Sequence, residues 1–169
     1  MKIIDFTRKY IYYVISILLA IGATCIGLLF LHFGTMHKSA PIRTTEALTS
    51  GSVLHTPTID IPITIANNDA SREQGLSDTI SLPAGSGMLF VFDTASKYGF
   101  WMKDMKYDLD LVWIDADLKI VDITADVAAD SYPKIFYPSQ PVRYVLEVNK
   151  KFSTAHGLKI GQIVSISQK

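Results

Sequence analysis

The charged residues that lie beside long apolar runs are the ones able to do chemistry in this chain: Arg72, Lys103, Asp104, Asp108, Asp110 and Glu147. Two carboxyls held in an apolar setting drive their pKa values apart, so that one serves as base and the other as acid. With Lys103 alongside, Asp110 and Glu147 would make a hydrolase-like acid–base catalyst. The same groups also have a plainer use, holding strands in register through Arg72, Lys103 or backbone N–H groups. Asp104 and Asp108 have the setting of turn residues. Trp101 is a candidate of another kind. In Phe100-Trp-Met-Lys103 alternate residues share a face, so a core position for Phe100 and Met102 leaves Trp101 beside Lys103 at a surface or cleft. A Trp next to a cation fits a ligand platform, and Trp101, Lys103, Arg72 and Asp110 form the ligand-binding candidates.

Other catalytic signatures are missing. The chain has no GxGxxG, no Walker loop and no HExxH. Ser86, in Ala84-Gly-Ser-Gly-Met88, lacks the first Gly of a nucleophile elbow and reads as a turn residue. His55 and His156 stand apart, and Cys25 is the only cysteine, so no metal-ligand pattern arises and no cofactor is expected. After Pro57, fourteen acidic residues face eleven basic ones with no basic stripe, which excludes a nucleic-acid partner.

Residues 87–122 must position these groups. They contain apolar runs at 88–92, 100–102 and 109–114, and a fourth at 118–123 follows the Asp115-Ala-Asp117 turn. Short runs rich in Val, Ile, Phe and Trp between Gly and Asp are strand-like. In 109–114 both faces are apolar, Leu109, Leu111 and Trp113 on one and Val112 and Ile114 on the other, so the strand belongs at the centre of a sheet. Asp110 shares that second face. Its charge needs Arg72, whose fork suits a carboxylate, or else Lys103 or several N–H donors. Residues 58–66 alternate around Ile59, Ile61, Ile63 and Ile65, and Pro62 pushes that strand to an edge. A short helix at 70–74 carries Arg72 and ends at Gly75; 77–87 is a loop. Pro133, Pro138 and Pro141 make 125–141 irregular, 142–148 is a strand, Asn149 caps a second short helix stopped by Gly157, and 163–166 is the last strand. The sum is an α+β domain, mainly antiparallel, a curled sheet or partial β-barrel with two short helices.

Several separated segments resemble the DUF192 (UPF0127) family: Arg72-x-x-Gly75-Leu76, Gly87-Met-Leu-Phe-Val-Phe92, Phe100-Trp-Met-Lys103, Leu109-Asp110-Leu-Val-Trp-Ile-Asp115 and Tyr144-Val-Leu-Glu147. The resemblance covers roughly residues 59–166. It implies a small prokaryotic domain with no settled activity. The chain departs from the family's pattern with Lys150-Lys151 where a Gly follows the Val-Leu-Glu strand, and with Gly161-Gln162 where Gly-Asp precedes the last strand.

Ahead of the domain, residues 10–31 contain no Asp, Glu, Lys or Arg. About twenty such residues span a bilayer, and the run is too long, with no small-x-small site after it, for a cleaved signal. Lys2, Arg8 and Lys9 against Lys38 and Arg43 put the N-terminus in the cytoplasm. Residues 34–57, rich in Thr, Ser and Pro, read as a flexible stalk. The expected division is therefore one transmembrane helix in 1–33, a stalk in 34–57 and a DUF192-like domain in 58–169. The expected protein is single-pass in the cytoplasmic membrane with its domain outside. Its expected role is a non-catalytic module for a small ligand or an envelope partner, with the acid–base enzyme as alternative and a purely structural role as a third reading.

Overall fold

The computed structural model describes residues 51–168. The expected transmembrane helix and most of the expected stalk lie outside these residues. Among the described residues no helix is long and apolar enough to cross a membrane.

Seven strands form one sheet: β1 (Ser52–His55), β2 (Asp60–Ala66), β3 (Gly87–Ser96), β4 (Leu109–Ile114), β5 (Ile120–Val127), β6 (Val142–Asn149) and β7 (Ser165–Gln168). Their spatial order is β5-β4-β6-β3-β2-β1-β7. All pairings are antiparallel except β2 with β3. That parallel step needs a crossover, and the connection supplies one through helix α1 (Asp69–Gln74). A second short helix, α2 (Phe152–Ala155), follows β6. The sheet is not closed. Its two edges are stitched at one end, where Ile120 N–H donates to the Gln162 carbonyl at 2.8 Å and Val164 N–H to the Leu118 carbonyl at 2.9 Å.

Every residue of β4 is buried, as are all residues of β6 except Arg143 and Asn149. One face packs Val112, Ile114, Leu146 and Val148 against Leu54, Ile61, Leu89, Phe152 and Leu158. The other packs Leu109, Leu111, Trp113 and Val145 against Phe90, Leu76, Met102 and Val127. Gly87 permits the close pairing of β3 with β6, since a Cβ there would stand 2.9 Å from the Glu147 carbonyl oxygen.

Several expectations need correction. The stalk boundary at 57 cuts through the sheet, because residues 52–55 form β1 with Leu54 fully buried. Two apolar residues in a Thr- and Ser-rich setting are too short a pattern to announce a strand. β2 is not an edge: it lies between β1 and β3. Pro62 is tolerated because β3 pairs only from Ile63 onward, leaving Pro62 bonded on one side. Residues 100–102 are not a strand; only Phe100 pairs, by a single bridge to Phe136. The first helix begins at an Asn cap, Asn68 and Ser71 forming a reciprocal capping box. Asn149 does not cap α2. Its amide donates to the Leu82 carbonyl at 3.1 Å.

β7 has β1 as its ladder partner, so losing β1 strips two strands. A fragment beginning at Pro57 should melt about 10 °C or more below one beginning at Glu46, since removing a buried Leu alone costs about 2–5 kcal/mol. Thermal unfolding of the two fragments followed by circular dichroism checks this, and equal midpoints would show that β1 adds nothing.

Candidate functional site

Glu147 lies in the middle of β6, between Met88 of β3 and Leu111 of β4. Its residue exposure is 5 %, its Oε2 is buried without a hydrogen-bond partner, and no partner is formed by the rest of the carboxyl among the described residues. Burial pushes this carboxyl up to about 8. It holds its proton at neutral pH because nothing nearby compensates a charge.

Glu147 forms part of the lining of a cleft of about 370 Å³. α1 and its C-terminal turn give one wall, β3 supplies Phe90 and Phe92, and the loop after β3 supplies Tyr98, Phe100 and Trp101. These rings brace one another. Phe92 stacks on Tyr98 at 3.6 Å, and Phe100 meets Phe90 and Trp113 edge-on at 4.9 and 5.5 Å. Trp101 is the exception, half-exposed at the mouth. Arg72 also lines the cleft but is committed. It donates to the Val91 carbonyl at 2.8 Å and to Asp69 at 2.6 Å, with its guanidinium 5.3 Å over the Phe92 ring.

Asp110 is elsewhere. It pairs with Val148, and Leu111 pairs with Glu147, so the two carboxyls point to opposite faces of the sheet. The expected acid–base dyad is thereby overturned. Nor does Asp110 meet Arg72 or Lys103. Its Oδ1 accepts from the backbone N–H of Asp126 at 2.9 Å and of Lys151 at 3.1 Å, and its Oδ2 from Ser153 N–H at 2.9 Å. The carboxylate thus caps α2 from across the sheet and ties down a bulge in β5. Lys151 stands in the left-handed region at φ +66°, which suits the Gly that the family pattern has near this point. Asp110 is therefore removed from both the catalytic and the ligand-binding set. Lys103 is exposed, does not line the cleft and contributes its backbone carbonyl to Ser77 at 2.9 Å. Asp108 takes a structural tie as well, between Ala129 N–H and Lys150 Nζ, both at 2.8 Å.

Sequence reasoning passed over one array. His55 Nδ1 lies 2.7 Å from Asp60 Oδ1, and its Nε2 lies 2.7 Å from Ser167 Oγ. The connectivity is that of a Ser-His-Asp triad. The Asp60 side chain is 70 % exposed and the group lies outside the cleft, so solvent screens it and no wall positions a substrate. It is a cross-strand tie joining β2, β1 and β7. No group of three or more His, Cys, Asp or Glu among the described residues could hold a metal.

A family model matches residues 52–166, more than half of the chain: DUF192, described as an uncharacterised ACR. The chain belongs to the DUF192 family. None of the curated proteins compared matches it. Among solved structures, a candidate transcription regulator from Sinorhizobium meliloti 1021 is 29 % identical, with 68 % of this chain and 90 % of that one covered at a TM-score of 0.63. A protein of unknown function from Novosphingobium aromaticivorans DSM 12444 is 22 % identical, with 68 % and 82 % covered and a TM-score of 0.63, and shows the shared fold. Four of the five DUF192 segments quoted above meet at the cleft, for Arg72, Gly75, Phe90, Phe100, Trp101 and Glu147 all line it, whereas residues 109–115 do not.

Two stability outcomes follow for this DUF192 domain. Asp110→Ala strands three N–H donors and should cost about 3 kcal/mol or more. Asp110→Asn keeps one carbonyl oxygen for two of them and should cost less. Chemical denaturation separates these, and equal losses would remove the backbone-donor account.

Glu147 has the opposite signature. The folded domain keeps this proton up to about pH 8, whereas the ordinary value is 4.5, so stability falls as pH rises between these limits. Glu147→Gln should flatten the slope by up to about 1.4 kcal/mol per pH unit and gain on the native protein toward pH 8. Urea unfolding at several pH values tests this, and parallel pH profiles would show that Glu147 ionises normally.

Proposed function

We propose that this DUF192 domain is a non-catalytic module that binds a small ligand in the cleft between α1, β3 and the Trp101 loop. Glu147 carries the reading. A buried carboxyl without a partner costs stability, and its placement on the floor of an aromatic cleft makes that cost intelligible as a site for a ligand's polar group. Trp101, half-exposed at the mouth, supplies a free ring face, and the braced rings behind it give a preformed wall. The hydrolase-like alternative loses its second carboxyl, since Asp110 is spent on backbone N–H groups on the far face.

The apolar run at 10–31 supports a tether, so that the module would work at a membrane surface, outside the cytoplasm, on a small ligand or an envelope partner. The Sinorhizobium structure is named as a transcription regulator, and the excess of acidic residues after Pro57 argues against direct DNA binding by this chain.

A screen of small organic compounds by thermal shift, on the full chain in detergent, tests the binding reading. A ligand at a hundred times its Kd should add about 2.7 kcal/mol of stability. That gain should shrink in Trp101→Ala, a change at an exposed ring. A gain equal in the native and Trp101→Ala proteins places binding elsewhere, and a screen without any gain overturns the reading.

A further inference from the structure

We infer that the cleft takes an organic cation, an amine or quaternary ammonium on an apolar body, with its charged head against Glu147. This rests on the binding reading above and narrows it to a ligand class.

Two independent features point to a cation. The first is the walls. Aromatic faces carry negative potential and hold ammonium groups within about 6 Å of the ring centre. Phe92 already does so for the Arg72 guanidinium, at 5.3 Å, so the cleft demonstrates the contact on its own residues. Trp101 and Phe100 remain to enclose a ligand.

The second is the balance of charge. Arg72 is offset by Asp69, leaving Glu73 at the rim and Glu147 on the floor as the acidic groups of the lining. The neighbours of Glu147 on the flanking strands, Met88 and Leu111, bring no charge. Around it stand Tyr107, whose hydroxyl bonds Thr79 Oγ1 at 2.6 Å, and the lining residues Arg72, Glu73 and Tyr98. Since Thr79 gives its own proton to the Leu76 carbonyl, Tyr107 must be the donor in that bond and offers no proton to Glu147. A neutral sugar or ring would use the walls but leave the carboxyl to a weaker exchange of hydrogen bonds. A cation uses both.

The inference has a consequence in protons. Glu147 is protonated in the free domain below about pH 8, so an incoming cation displaces one proton to solvent and then faces a carboxylate. Binding should strengthen about tenfold per pH unit between pH 6 and 8 and level off at pH 9.

Isothermal titration of the full chain, in a detergent free of choline groups, provides the test. The probes are choline and benzyltrimethylammonium, each beside the uncharged isostere with C(CH3)3 in place of N(CH3)3+. The expected result is cation binding that rises with pH and releases one proton below pH 8, with weak, pH-independent binding of the isosteres. Glu147→Gln should bind the cations about tenfold or more weaker and without pH dependence. Equal binding of cation and isostere, or of the isostere alone, overturns the cation assignment and leaves the cleft as a site for neutral ligands. Cation binding that ignores both pH and Glu147→Gln also overturns it. Absence of binding by every probe sinks the cation assignment, and the thermal-shift screen then decides the broader reading separately.

Discussion

Burial of β4 and β6 on both faces is the constraint from which the rest of the domain follows. With water excluded above and below, each polar atom on these strands has to find its partner inside the protein. Two carboxyls violate the apolar pattern, one on each strand. They lie at neighbouring positions in the ladder yet face opposite ways, since Asp110 aligns with Val148 and Glu147 with Leu111. Each therefore meets a different environment, and the domain treats them differently.

Asp110 compensates for irregular backbone. The bulge in β5 brings Asp126 to φ +56°, and the turn after β6 puts Lys151 at φ +66°, conformations that leave N–H groups pointing inward. One ionised side chain accepts from both and from Ser153 at the start of α2. Glu147 receives nothing comparable, and burial keeps it protonated. The contrast separates a carboxyl that completes the fold from one that the fold leaves available. Around the second, fixed geometry comes from elsewhere: the Asn68–Ser71 capping box holds α1, and Arg72 pins that helix to the Val91 carbonyl.

Much of this was legible in the residues. Apolar side chains on both faces of 109–114 mark β4 as a central strand and Asp110 as a residue under obligation. The partners of Asp110 were not legible, because the donors are main-chain N–H groups presented by a bulge and a left-handed turn, and no side-chain pattern announces either. Grouping Asp110 with Glu147 failed for a related reason: periodicity assigns faces within a strand, but the relation between two strands depends on register, which is a tertiary fact. A strand at 100–102 would put Trp101 at a surface or cleft. No strand forms there, yet Trp101 lines the cleft, since Phe100 and Met102 anchor the loop inward on either side of it. The array of His55, Asp60 and Ser167 could not be seen at all, as its members come together only when β1 pairs with both β2 and β7.

The β1–β7 ladder has a mechanical side. Ser52 faces Gln168 across it, so the chain enters and leaves the described domain at the same end of two adjacent strands. A load applied between those ends would part the ladder one rung at a time, as a zipper opens, rather than shearing all rungs together. The first yield under tension is then the peeling of β7 from β1. β3 and β6, which carry the cleft, lie further along the sheet and would stay paired after that first yield.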